Sequence, residues 1–295
     1  TLGQIIPPSL VLILLADVLS SSYQQAQLNM GIFSPETITI ADLFLGAILP
    51  GLLLPILYIL YLKTLSVKSI EKKSTSKINI STIIYPLGLM LIVLGSIIFG
   101  LATPSEAAGL GALGAIFLAY SRNNLTKKIL DKSIYDSIKL TSMVFMILIG
   151  ATLFSLVFRG LGGEDFIHKF LIELPDDKIL TLIIVLLLMF ILGFILDFIE
   201  ITFIVIPLIG PALFTLGFDP LWIGILIALV LQTSFITPPF GFSLFYLRGV
   251  LPKTVKTIEI YKGIFPFLLI QIFLVIIIFT FPELATYLPE KYLSR

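Results

Sequence analysis

Residues 231–246, LQTSFITPPFGFSLFY, concentrate the groups that could do chemistry in this chain. Gln232, Thr233, Ser234 and Thr237 stand beside Pro238, Pro239 and Gly241, inside an otherwise apolar region. Proline removes a backbone donor and clashes with the preceding turn, and the residue before it is pushed out of helical geometry. The pattern predicts that a helix arriving from Leu221 stops near Ser234 and that another begins near Pro239. Between them, carbonyls and amides lose their helical partners. With the Ser and Thr hydroxyls they form a set of hard oxygen ligands, suited to sodium and unsuited to soft metals. Carbonyls at a helix C-terminus also carry partial negative charge. Asp197, in LDFIEI at residues 196–201, adds a carboxylate. A charge at the bilayer centre costs roughly 2.5–3.5 kcal/mol or more, so Asp197 needs a partner there. With Glu200 three residues on, it also reads as a capping box, and the two roles are compatible.

The start of the chain repeats the device. Residues 1–8 read TLGQIIPP and residues 232–239 read QTSFITPP. Aligned on the prolines, Gly3 falls on Ser234, Ile6 on Thr237 and Pro8 on Pro239. Each copy enters an apolar helix, over residues 9–19 and 240–250. Two such copies suggest an internal repeat, a signature of transporter folds. The first break predicts a second oxygen cage; the competing reading is a simple proline kink. Thr1, Gln232 and Thr233, polar residues beside the two breaks, are the candidate substrate contacts.

Such breaks must be positioned by elements that tolerate them. Lipid cannot satisfy open backbone groups, so they persist only when buried in protein or lining a polar site. The composition places the chain in a membrane. Of its 295 residues 58% are hydrophobic and 13% charged, against about 25% charged in soluble domains. Net charge is +1, which implies no polyanion partner and excludes a nucleic-acid binder. Cysteine is absent, which removes disulfides, zinc-thiolate sites and cysteine nucleophiles. HExxH, GxSxG and P-loop signatures are also missing, so enzyme readings find no support. A channel needs rings of polar residues along a pore, whereas the polar residues here sit at isolated breaks. Position 1 is Thr, inside a motif, which reads as an N-terminal truncation.

Taken in order, the first broken helix (1–22) gives way to a polar segment without Lys or Arg (23–39). A clear span follows (40–62), then a basic loop (63–77). Residues 82–100 span again and end in TPSE, where Thr103 is the expected N-cap, Pro104 the first helical residue and Glu106 a capping-box partner. The restarted helix is rich in Gly and Ala, which lets membrane helices approach closely. A second basic stretch (122–139) precedes a span (137–158). Residues 164–178 are short and amphipathic, expected at the interface, and carry His168. Residues 179–216, interrupted by Asp197 and Glu200, read as a re-entrant hairpin. A basic connector (251–263) and a last span (264–281) close the chain. The domain division is therefore 1–22, 23–139, 140–177, 178–250 and 251–295. Asp17 and Asp42 read as capping or solvated residues, and Trp222 as an interfacial aromatic. Orientation follows from Lys and Arg. Residues 63–77, 122–139 and 248–262 hold five, five and four of them, against three in 159–178 and two in the tail. With the richer segments cytoplasmic and 179–216 re-entrant, the first broken helix runs outward and the second inward. An inverted pair with breaks at similar depth can build one site and switch its exposure.

The motifs GQIIPPS (3–9), DLFLGAILPGLLLP (42–55), GLATPSEAAGLGALGA (100–115), LDFIEI and LQTSFITPPFGFSLFYLRGV (231–250) resemble the large membrane subunit of tripartite ATP-independent periplasmic (TRAP) transporters. The last two look most like the branch labelled mannitol/chloroaromatic. The resemblance runs over nearly the whole chain. It implies an all-α integral membrane fold with inverted repeats, a re-entrant hairpin and broken helices, working as an elevator in the bacterial inner membrane. It implies sodium-coupled import of organic acids with no cofactor beyond sodium, a small membrane subunit and a periplasmic substrate-binding protein as partners. Carried over, Gly3, Ile6 and Pro8 resemble the ligands of one sodium site, and Asp197, Ser234, Thr237 and Pro239 those of the other. The family's first hairpin would precede Thr1, leaving the first site half present. The alternatives are a binding-protein-independent citrate or dicarboxylate exchanger and, more remotely, an integral-membrane enzyme or scaffold.

Overall fold

The computed structural model describes residues 2–65, 81–163, 166, 167, 169, 178–237, 241–252 and 255–293. Thr1, His168, Pro238, Pro239, Phe240, most of the first basic loop and most of residues 164–177 lie outside the described residues. Among those described, every regular element is helical. Four helices are long and apolar enough to cross a membrane: Ile40–Thr64, Lys127–Gly160, Phe198–Thr215 and Thr257–Thr280. The chain divides into two compact units, residues 1–58 with 146–295, and residues 59–145.

In the larger unit, a short 3-10 turn (Leu2–Gln4) precedes α1 (Leu10–Asn29). The Ser9 Oγ accepts the Leu12 amide at 3.3 Å and caps α1. This helix is longer than the sequence reading, which ended it near Leu19 and treated 23–39 as a polar connector. Nothing between Ser20 and Asn29 breaks a helix; the first helix-ending residue is Gly31, at φ +81. The polar residues are used instead. Gln27 is buried, and its side-chain amide exchanges hydrogen bonds with the Glu36 backbone, at 2.8 Å and 3.1 Å. That clamps the following loop onto α1. α2 (Ile40–Thr64) begins at a Thr39–Asp42 cap, with Asp42 Oδ2 accepting the Thr39 amide and hydroxyl, each at 2.7 Å.

The smaller unit holds α3 (Ser81–Ile98) and α4 (Pro104–Ser121). The Thr103–Glu106 capping box between them forms as expected, with Glu106 Oε2 accepting the Thr103 amide at 2.8 Å. The small residues of α4 let α3 come close. A Cβ on Gly114 would stand 2.4 Å from Leu89 Cδ1, and one on Gly111 3.2 Å from Val93 Cγ2. These pairs run in opposite order, so α3 and α4 form an antiparallel hairpin. The second basic stretch is no separate connector. From Lys127 it belongs to α5 (Lys127–Gly160), continuous with the span, because it lacks any Pro or Gly to stop it.

The remaining helices belong to the larger unit: α6 (Lys178–Leu192), α7 (Phe198–Thr215), α8 (Pro220–Ile236), α9 (Phe242–Val250), α10 (Thr257–Thr280) and α11 (Glu283–Leu293). α7 contains a π-helical stretch, Ile201–Val205, in which the Ile206 amide reaches back to the Ile201 carbonyl. Pro207 has no amide to offer the carbonyl four residues back, and the ladder re-registers just before it. Trp222, read as interfacial, is buried and donates its indole N–H to the Ile278 carbonyl at 2.7 Å. Packing α10 against α8 covers it.

Candidate functional site: two helix breaks and a hairpin tip

α8 is buried from Leu221 to Ser234. It ends at Ile236, two residues beyond the predicted stop, and Thr237 is extended at φ −90, ψ 125. The Gly241 amide donates to the Thr237 carbonyl at 3.0 Å. A Cβ on Gly241 would lie 2.7 Å from the Phe235 carbonyl oxygen, so only glycine fits here. The next described helix starts at Phe242. The predicted interruption is thus present.

The hydroxyls at the break are set in one way. Thr233 donates to Val230, Ser234 to Leu231 and Thr237 to Thr233, all to carbonyl oxygens at 2.6 Å. Each hydroxyl spends its proton on its own helix and keeps lone pairs for another partner. That polarity suits a cation.

The hairpin tip meets this break. Residues 193–197 join α6 to α7, and a Cβ on Gly193 would stand 2.4 Å from Ser234 Cβ and 2.7 Å from its Oγ. The Phe198 and Phe235 rings lie 5.4 Å apart. At the tip the capping box forms: Asp197 Oδ1 accepts the Phe198 amide at 2.7 Å, and Glu200 Oε2 accepts the Asp197 amide at 3.1 Å. Asp197 is half-buried, and its carboxylate also meets the Glu200 amide in the capping box. At the far end, Lys178 Nζ lies 3.8 Å from the Cβ position of Gly217. The two arms therefore leave and return together: α6 runs parallel to α8, and α7 against both.

The first break is built differently. The amide of Ile6 donates to the Leu2 carbonyl at 3.0 Å, and the Ser9 hydroxyl donates to the Gln4 carbonyl. Ile5 is buried, and its carbonyl oxygen lies 3.5 Å from the Cβ position of Gly51 on α2. Gly3 is exposed with open space around it, and Ile6 and Pro8 are half-buried.

Direction and depth relate the two breaks. α1 advances alongside α7: Ser22 faces Gly210, and Tyr23 stacks edge-on to Phe214 at 5.5 Å. Since α7 opposes α8, α1 opposes α8 as well. They cross where a Cβ on Gly224 would be 2.7 Å from Leu19 Cδ1. Ser9 precedes Leu19 by ten residues, and Ser234 follows Gly224 by ten. At a rise of about 1.5 Å per residue, both breaks lie about 15 Å from the crossing, on the same side. The two copies are antiparallel and share one level, as an inverted repeat requires.

Among the described residues, the buried polar side-chain atoms without a hydrogen-bond partner are both of Gln232, Oγ1 of Thr202 and Oε1 of Gln4 on these elements, and Oε1 of Gln271 on α10. Gln232 and Thr202 are 1% and 0% exposed. Gln232 was a candidate from sequence; Thr202 was not. Its signal was a lone hydroxyl four residues beyond Phe198 in ITFIVIP, just ahead of Pro207. Thr1 and Pro239 lie outside the described residues.

A family model described as "Tripartite ATP-independent periplasmic transporter, DctM component" matches residues 1–284. The chain is 25% identical over 301 residues to the C4-dicarboxylate TRAP transporter large permease protein DctM of Rhodobacter capsulatus, covering 98% of this chain and 66% of that protein. It is 25% identical over 205 residues to the sialic acid TRAP transporter large permease SiaM of Vibrio cholerae, covering 69% and 47%. It is 29% identical over 259 residues to the isethionate TRAP transporter permease DctMQ of Oleidesulfovibrio alaskensis, covering 85% and 39%. The chain spans between about two-fifths and two-thirds of the length of these relatives. With its family model matched from Thr1 to Leu284, the chain belongs to the DctM family of TRAP transporter large permease components.

Proposed function

We propose that the protein bearing this chain is the large permease subunit of a sodium-coupled importer of organic acids in the bacterial inner membrane. It works with a small membrane subunit and a periplasmic binding protein that delivers substrate. The observation that carries the sodium reading is the break after Ile236, with three hydroxyls turned to accept, a hairpin tip bearing Asp197 set against it, and an opposed break at the same level. Ser234, Thr237 and Asp197, with Pro239, form the better-developed cation site; Gly3, Ile6 and Pro8 contribute backbone to the other. The names of the relatives, which transport C4-dicarboxylates, sialic acid and isethionate, favour small organic anions as the substrate class.

The test is uptake by the intact permease with its two partners in proteoliposomes. Uptake should stop when choline replaces sodium. Asp197→Ala and Ser234→Ala should each lower it at least tenfold at fixed sodium. Uptake indifferent to sodium sinks the coupling, and full uptake without the periplasmic protein favours a free-standing exchanger.

A further inference from the structure

The far end of α1 carries a feature that the breaks do not use. The helix closes in a Schellman motif. The Gly31 amide donates to the Leu28 carbonyl at 3.0 Å and the Ile32 amide to the Gln27 carbonyl at 2.9 Å, with Gly31 at φ +81. In this motif the residue after the glycine commonly packs back on the helix residue that accepts its amide. Here that residue is Gln27, which is buried and spends its side-chain amide on the Glu36 backbone. Ile32 is left outward. Leu28, Met30, Ile32 and Phe33 are 51%, 47%, 45% and 88% exposed. The loop is fixed at a second point, where the Ile38 amide donates to Ser20 Oγ at 3.3 Å and the Ile38 side chain is buried. Four apolar side chains within six positions thus stand out on a held mount.

The level of this knob is aqueous. The 20 residues of α1 carry its end about 30 Å beyond the first break, at about 1.5 Å per residue. With the break near the bilayer centre, hydrocarbon ends about 15 Å from it and the headgroups about 5–7 Å further on. The neighbouring turns agree. Tyr23 stacks on Phe214, so Gly217, with Lys178 Nζ beside it, lies level with Ala26. That charged level is the hairpin base, and α1 runs on past it. No Lys or Arg precedes Lys63, which puts this end of α1 on the outer side. An apolar patch held out in water marks a protein contact, and aromatic side chains and Met are enriched in such contacts. Glu36 is the only charged residue between Val18 and Ala41 and is exposed. The surface that fits is therefore apolar with a cationic rim.

We propose that the knob at residues 28–33 is a docking point for the periplasmic binding protein, with Phe33 as the side chain that enters it. This rests on the importer reading above, which supplies a soluble partner on this side, and adds the surface it meets.

The test places the photocrosslinker p-benzoylphenylalanine at position 33 of the intact permease, expressed with its small subunit and with the tagged binding protein encoded beside it. Illumination should join permease to binding protein. The same group at Val250, 86% exposed and on the cytoplasmic side by the Lys and Arg count, should not. In proteoliposomes, Phe33→Glu should raise the binding-protein concentration that half-saturates uptake at least tenfold, with maximal uptake and melting temperature kept. Phe33→Leu should stay within threefold of the parent. Crosslinks only to phospholipid assign the knob to the membrane surface, and crosslinks only within the permease or to the small subunit mean that it is covered in the assembly. Either result overturns the proposal, as does no crosslink at all or an unchanged half-saturation in Phe33→Glu. The group at position 32 is a second reporter should position 33 disturb folding. If uptake requires the binding protein while these results fail, only the docking point falls. Uptake that needs no periplasmic protein removes the importer reading and the docking point with it.

Discussion

The two double-proline breaks share a motif and a level, yet differ in what surrounds them. The described residues that flank the break after α8, Thr237 and Gly241, are buried. Its helix is buried on every side, its hydroxyls are ordered, and the tip between α6 and α7 sits on Ser234 so closely that a single added carbon does not fit. The break before α1 meets Gly51 of α2 through Ile5 and Ile6, while Gly3 stands open. Among the described residues, the same X-Pro-Pro interruption is thus tightly packed in one place and less covered in the other. Proline only opens the helix; a second element must close around it to make a site.

Substitutions that load the two breaks equally sharpen this contrast. The largest effect is expected at Gly193→Val, which drives the hairpin tip off Ser234. Overpacking costs about 1–3 kcal/mol, and the melting temperature should drop while any sodium-dependent rise in it disappears. A variant as stable as the parent would mean that the tip and the break separate freely. Next is Asp197→Ala, which removes a cap worth about 1 kcal/mol and, on the proposed reading, the sodium-dependent increment too. Thermal unfolding with and without sodium distinguishes the two losses. Ser9→Ala removes the cap of the first break and should also cost about 1 kcal/mol. Gln232→Leu has the opposite sign. An unpartnered buried amide is costly to keep, so the variant should melt at or above the parent in sodium-free buffer and still transport poorly. Lower stability there would mean that the amide has a structural partner. The smallest effect is expected at Gly3→Ala, whose Cβ meets nothing within 4 Å. It should change stability by less than about 0.5 kcal/mol; a cost matching Gly193→Val would erase the asymmetry.

Much of this was legible in the chain. Pro238 and Pro239 marked the second interruption to within two residues, and the Thr103 and Asp197 capping boxes were readable because capping depends on a few neighbouring residues. The α1 and α5 boundaries were misjudged for the same reason in reverse. Polar Ser and Gln, or Lys, were read as the end of a helix, although nothing in them stops one. Their fate depended on the neighbour: Gln27 is buried because Glu36 folds back onto it. The burial of Trp222 was not legible either, since its cover comes from α10, more than fifty residues away in the chain. Thr202 was missed because its signal, a single hydroxyl in an apolar run, is weak until the π turn and the helices around it bury it.

The sequence by itself determined that the chain is apolar and helical and where its helices are interrupted. These are consequences of short-range sterics and hydrogen bonding, which a few adjacent residues fix. Only the tertiary structure decided that α1 and α8 oppose each other with their breaks at one level and that the hairpin tip closes on Ser234. Those facts depend on which helix faces which, and that is settled by packing between residues far apart in the chain.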